Sequence, residues 1–340
     1  MKAVRMHAYG GPEVLRYEDA PDPKPRKDQV LVRVRACAMN HLDLWVRKGT
    51  TKSPLPHILG SDVAGEIVEV GEYVSWLKAE QRVLLAPMWF CNHCEYCTAG
   101  RQNQCREFTV LGNGVDGGNC ELMAVPGVNV IPMPDSLGFN EAASVPLVFL
   151  TAFHMLTGRA SIQPGHTALI LGANSGVGIA AIQVAKLFNA TVIATAGNET
   201  KIEKALALGA NHVINHYVHK ISDEVKKITN GEGVDIVLEH VGAATWDESI
   251  KSLKPGGTLV TCGATTGPEA KVDLRFLYSR QFNLLGSYMG TMGELRAVLK
   301  HVFSGKIRPV VDRTFPLAEV RKAHAYLENS EMFGKIVLNP

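Results

Sequence analysis

The chain has 340 residues, and its 35 basic and 33 acidic side chains leave a formal net charge of +2. That length suits two domains, and a balance so near neutrality argues against nucleic acid or an anionic membrane as the main partner, which leaves a small-molecule substrate. Seven cysteines, four of them bunched between Cys91 and Cys105, do not resemble a disulfide framework, no apolar run approaches the ~18 residues of a membrane helix, and the N-terminus shows no signal-peptide core, so the expected compartment is the cytoplasm.

Residues 1–148 carry short strand patterns, among them VLVRVRAC, DVAGEIVEVG, RVLLAPM and CELMAVP. Gly and Pro separate them and helical period is scarce, which predicts a mostly β domain. Inside it lies CNHCEYCTAGRQNQC, with Cys91, Cys94, Cys97 and Cys105 at the spacing C-x2-C-x2-C-x7-C. The two-residue gaps let successive thiolates turn back on one ion, and the longer arm returns Cys105 as the fourth ligand. Four thiolates close a tetrahedral zinc shell and leave no position for substrate, so the expected zinc is structural. Disulfides, the alternative, suit an oxidising compartment.

From about Gly165 the rhythm changes to apolar strands alternating with amphipathic helices (HTALILGA, IAAIQVAKLFNA, TVIATAG, KIEKALALGA, HVINH, VDIVLEHVG, GTLVTCGA). This predicts an α/β domain over 149–285 with a parallel sheet covered on both faces. The tail, 286–340, returns to a helix and short strands. Directly after HTALILGA comes LGANSGVGIAAIQVAK, a variant dinucleotide turn in which Ala173 and Ser175 hold two of the usual glycine positions. Ala173, Ser175, Gly176, Val177 and Gly178 are the candidate pyrophosphate contacts, since such a turn offers close backbone approach and free amides at a helix N-terminus. The next strand, TVIATA, ends at Ala196 without the acid that would bind the ribose hydroxyls of NAD. Gly197, Asn198 and Lys201 follow instead, and Asn198 and Lys201 as donors to a 2′-phosphate favour NADP(H). A solvated turn, or Glu199 as the missing acid, is the competing reading.

Together Gly-Pro-Glu-Val at 11–14, Ile-Leu-Gly-Ser-Asp-Val-Ala-Gly at 58–65, the cysteine lobe and the dinucleotide turn carry a resemblance that spans essentially the whole chain. It resembles the medium-chain dehydrogenase/reductase family, the zinc alcohol dehydrogenases and their quinone oxidoreductase relatives. The resemblance implies a GroES-like catalytic domain made of 1–148 and 286–340, a Rossmann domain over 149–285, a nicotinamide cleft between them, and homodimers or homotetramers built through the Rossmann sheet. It also implies coenzyme contacts from His41, Val241, Gly242, Gly263 and Ala264.

The family's catalytic zinc ligands fall on Asn40, on Ser61 beside Asp62, and on Leu147, and its proton relay falls on Leu42 and Trp45. Neutral oxygens and an alkyl chain do not make a soft-metal site, so the catalytic zinc is expected to be absent. Asn40 and Asp43 match the Asn-x-x-Asp pattern of the quinone oxidoreductase branch and are the candidate catalytic pair. In it Asn40 either offers its amide to the substrate oxygen or ties down its loop, and Asp43 supports it. Cys37, Cys120 and Cys262 read as small core residues. The expected function is hydride delivery from NADPH to a quinone, enone or ketone without a catalytic metal. The alternatives are an alcohol dehydrogenase or ketone reductase acting on bulky or cyclic substrates, and a non-catalytic NADPH-binding or structural protein.

Overall fold

Strand Gln29–Ala38 buries Val30, Val32, Val34 and Ala36 while Arg33 and Arg35 face solvent, the period-two pattern of a sheet with one face in the core. In the computed structural model, which describes all residues from Met1 to Pro340, this strand pairs with Asp62–Val70 along its length, with Leu122–Pro126 over its first half and with Lys335–Asn339 at its end. The whole sheet has seven strands, running Val130–Pro132, Arg82–Leu85, Asp62–Val70, Gln29–Ala38, Lys335–Asn339, Val311–Pro316, with Leu122–Pro126 paired to the central strand. Its apolar face packs Val30, Val32, Val63, Ile67, Val83, Leu85 and Val125 into one core. Two registers matter for the site: Ala38 stands opposite both Asp62 and Val337. The end of one strand therefore meets the starts of two others that are far apart in sequence.

The chain divides into Met1–Leu147 with Thr291–Pro340, and Val148–Gly290. The second unit holds six parallel strands in the order His212–Asn215, Thr191–Ala196, Thr167–Ile170, Val234–Glu239, Leu253–Thr261, Asn283–Gly286. Numbered along the chain, that order is 3-2-1-4-5-6, the doubly wound arrangement whose switch point lies at the carboxyl end of the first strand. The inner strands are buried almost throughout, as a sheet covered on both faces requires.

The α/β class and both sheets match the sequence expectations. Two of the differences are instructive. Strand Leu253–Thr261 begins before the expected Gly257, running through Pro255 and Gly256, and its register with Val234–Glu239 shifts between Val234 and Ile236. Helices Phe139–Ala143 and Pro146–Phe153 have no counterpart in the sequence reading. Val148, Phe149, Leu150 and Ala152 are all buried, so the second helix has no polar face to reveal a period. No helix is long and apolar enough to cross a membrane.

Candidate active site

The glycine-rich turn follows strand Thr167–Ile170. Gly172 sits at φ +60°, and a Cβ on Gly178 would lie 2.2 Å from the Gly172 carbonyl oxygen, so both positions require glycine. Ser175 caps helix Gly176–Leu187, its Oγ accepting from the Gly178 amide at 2.9 Å, which shows why serine serves at a usual glycine position. From the neighbouring strand, Thr195 Oγ1 accepts from the Gly172 amide at 3.0 Å and the Thr195 carbonyl from Ala173 at 2.9 Å. His240 lies beneath the turn, its Nε2 2.8 Å from the Leu171 carbonyl oxygen, and burial lowers its pKa. Val241 and Gly242 are fixed by the buried Glu239, which accepts from both of their amides as well as from Thr245 and Ser249. Gly263 approaches the same place: a Cβ there would lie 2.9 Å from the His240 carbonyl oxygen. Ala264 borders Gly242, where an added Cβ would meet the Ala264 backbone. The turn is thus held by backbone and short side chains that leave room for a phosphate to approach.

At the tip of strand Thr191–Ala196, Asn198 caps helix Glu199–Ala207 by accepting from the Lys201 amide at 3.0 Å. Its carbonyl oxygen is therefore committed to the helix. Only its amide nitrogen remains as a donor. A Cβ on Gly197 would lie 2.6 Å from the Tyr217 ring and 3.5 Å from His216 Nε2. Burial, and then the charge of Lys201, lowers the His216 pKa.

In the first unit Asn40 caps helix His41–Lys48. Asp43, at the third helical position, returns to the Asn40 amide with Oδ2 at 2.7 Å and accepts from the Gly60 amide with Oδ1 at 3.0 Å. This is the acid half of a capping box, reinforced by its charge at a helix N-terminus. Burial pushes the Asp43 carboxyl up to about 6, against the opposing pull of those amides and of Lys335. His41 packs edge-on to Trp45, with centroids 5.2 Å apart.

The Asn40 side chain belongs to a buried charged network. Lys335 Nζ donates to Asn40 Oδ1 and, at 3.0 Å, to Asp62 Oδ2. Asn40 Nδ2 donates to the same Asp62 oxygen at 2.9 Å, and the Leu147 amide donates to the other at 2.7 Å. Asp62 is fully buried, while Lys335 and Asn40 are 5% and 7% exposed. A lysine only donates and an ionised carboxylate only accepts, so the orientation of the Asn40 amide is dictated: oxygen to ammonium, nitrogen to carboxylate. The strand registers explain the encounter, because Asp62 and Lys335 each begin a strand that pairs at Ala38, two residues before Asn40.

The four lobe cysteines converge, with all ligand sulfurs within 4.8 Å of one another and none disulfide-bonded. Cys91 Sγ lies 3.9 Å from that of Cys97 and 3.6 Å from that of Cys105. Thiolates 2.3 Å from a tetrahedral zinc stand about 3.8 Å apart, so the cluster has the dimensions of that ion. The Cys94 amide also donates to Cys91 Sγ at 3.4 Å, an interaction that favours a thiolate. Cys120 and Cys262 are pushed up to about 12 by burial, which keeps them thiols, and Cys37 is raised likewise.

Sequence reasoning missed Lys335, Thr195, His240 and Glu239. The first had a faint signal, a lone lysine opening the apolar strand Lys335–Asn339. The Asn-x-x-Asp segment, read as a branch pattern, was also legible as an N-cap with an acid at the third helical position.

The family model for the alcohol dehydrogenase GroES-like domain matches residues 26–135, and that for zinc-binding dehydrogenases matches residues 176–304. The chain is 34% identical to the acryloyl-coenzyme A reductase of Metallosphaera sedula, over 99% of each chain. It is 32% identical to a quinone oxidoreductase of Pseudomonas aeruginosa, over 100% of this chain and 99% of the other. A solved structure of an NAD-dependent alcohol dehydrogenase is 42% identical, covers 100% of both chains and superposes with a TM-score of 0.97. With both domain models matched in order and relatives aligned end to end, the chain belongs to the medium-chain dehydrogenase/reductase family and is an oxidoreductase.

Proposed function

We propose that the protein is an NADPH-dependent reductase that delivers hydride to a quinone, enone or ketone without a catalytic zinc. The observation that carries this reading is the Lys335, Asp62 and Asn40 network. The positions where zinc-dependent relatives hold their catalytic ion carry an amide, a hydroxyl and an alkyl chain. The one carboxylate among them, Asp62, is already paired with an ammonium 3.0 Å away. A divalent ion there would face that ammonium and lack soft ligands. A bound NADPH supplies the hydride, and the reduced acceptor takes its proton from solvent. Asn40 Nδ2 has two hydrogens, of which Asp62 takes one, and the second is the donor offered to the acceptor oxygen. Asp43 supports it by fixing the backbone of Asn40.

Coenzyme binding falls to Ala173, Ser175, Gly176, Val177 and Gly178 on the pyrophosphate, and to Val241, Gly242, Gly263 and Ala264 beyond it. His41 is the contact expected from the first unit. Gly197, the Asn198 amide nitrogen and Lys201 would recognise a 2′-phosphate. Cys91, Cys94, Cys97 and Cys105 would hold one structural zinc, a closed shell that braces the lobe. We place the protein in the cytoplasm, as a homodimer or homotetramer formed through the parallel sheet.

The relative named acryloyl-coenzyme A reductase supports an activated alkene as acceptor, and the quinone oxidoreductase supports a quinone. One comparison favours a second reading: the 42% identical NAD-dependent alcohol dehydrogenase supports an alcohol and ketone pair with NAD(H). Stopped-flow coenzyme oxidation decides between them. NADPH and NADH are each mixed with phenanthrenequinone, cyclohex-2-enone and cyclohexanone, and the reverse reaction is run with cyclohexanol. Rapid turnover of quinone or enone with NADPH is expected, and turnover confined to cyclohexanol and NAD would replace this reading by the second.

A further inference from the structure

Lys335 neutralises the buried Asp62, but the pair as a whole has little stability rationale. A buried ion pair returns little beyond the cost of desolvating its two charges, and apolar residues of similar size commonly serve as well. The Leu147 and Asn40 amides would satisfy an uncharged acceptor at position 62, so stability alone does not call for the charged pair. What Lys335 adds is a charge-assisted bond to the oxygen of Asn40.

We propose that Lys335 is a positioning residue of the reductive site: with Asp62 it locks the Asn40 amide with nitrogen as the free donor, and by drawing electron density to Oδ1 it strengthens the remaining Nδ2–H bond to the acceptor. This inference rests on the reading of Asn40 as the donor. Two parts of the geometry carry it. An unrestrained asparagine presents oxygen or nitrogen to a ligand with similar ease. An oxygen turned towards the developing negative charge of the acceptor would repel it. Here an ammonium on one end and a carboxylate on the other exclude the flipped state, because flipping would set donor against donor and acceptor against acceptor inside a buried site. An ammonium on the amide oxygen also favours the resonance form with positive nitrogen, and hydrogen bonds in series strengthen one another. A charge that never touches substrate thus acts through a neutral amide that does.

The test is a double-mutant cycle on the full chain with NADPH saturating, reading the single-turnover rate of hydride transfer to cyclohex-2-enone and to phenanthrenequinone beside a melting curve. Lys335→Met should slow transfer roughly tenfold to a hundredfold, the lower range of a weakened oxyanion donor, and more for the enone than for the quinone, which stabilises its own charge. In an Asn40→Ala background the same substitution should change the rate by less than about threefold, because the group it acts through is gone. Lys335→Met leaves Asp62 buried and unpaired, so Lys335→Met with Asp62→Asn supplies a charge-balanced variant that keeps an acceptor for the Leu147 amide; because it removes both ends of the lock, it should slow transfer at least as much. An equal slowing with and without Asn40, or a folded charge-balanced variant with unaltered transfer, overturns the proposal. If Asn40→Ala slows transfer while the Lys335 variants do not, only this inference fails. If Asn40→Ala itself leaves transfer unchanged, the donor reading fails and this inference with it.

Discussion

Replacing Asp43 by Asn alters one oxygen in a site where both oxygens accept from backbone amides, Asn40 at 2.7 Å and Gly60 at 3.0 Å. The variant keeps the shape and one acceptor, but its NH2 must face one of those amides, a loss of about 1–3 kcal/mol that does not depend on pH. The wild-type side chain does depend on pH. Its carboxyl is raised from 3.8 to about 6 by burial, so between those values the native state holds a proton that the unfolded chain has released. Stability from this group is therefore highest at low pH and falls as pH rises through the window. A shift of about two units corresponds to roughly 3 kcal/mol in total, of which about 1.4 kcal/mol falls between about pH 5 and pH 7.5. Asparagine does not titrate, and every other group cancels between the two proteins. Urea unfolding of both at the two pH values should show the deficit of Asp43→Asn shrinking by about 1.4 kcal/mol as pH rises. A deficit that stays constant would show that Asp43 is not raised. Such a constant deficit is the result expected of a carboxylate held ionised by its two amides and Lys335, and it would refute the assignment of burial as the dominant effect.

Lys201→Ala should weaken NADPH binding by about tenfold or more, the worth of one charge-assisted phosphate contact, and leave NADH nearly unaffected. Fluorescence titration with both coenzymes checks this, and equal effects would make Lys201 a bystander. Cys94→Ser should loosen the lobe and lower the melting temperature with only an indirect effect on turnover, because a closed thiolate shell serves folding and not chemistry. Complete loss of turnover with an unchanged melting curve would give that metal a catalytic role.

The parallel sheet was legible because its strands are short apolar runs separated by helices of clear period, and the cysteine lobe because its spacing is itself the geometry of a zinc shell. The early start of Leu253–Thr261 was not, since Pro255, Gly256 and Gly257 are the residues that ordinarily mark a break. Helix Pro146–Phe153 was hidden by burial on all sides. The network around Asn40 was half legible. Asn40 and Asp43 lie three residues apart and announce themselves, whereas Lys335 reaches Asn40 across 295 positions through a strand register that no local pattern encodes. Asp62 was read only as the neighbour of a lost metal ligand, Ser61, and its role as partner to a buried lysine depends on that same register. Short side chains such as Thr195 and Ser175 hold the dinucleotide turn through single hydrogen bonds, for which sequence offers only the residue type.

The central claim, reduction without a catalytic metal, is tested most directly by the zinc content of fully active protein. Metal analysis by mass spectrometry, paired with turnover before and after dialysis against a chelator too weak to strip a four-thiolate site, should find one zinc per chain and undiminished reduction of quinone or enone. Two zincs per chain, with turnover lost and restored in step with the second, would contradict it.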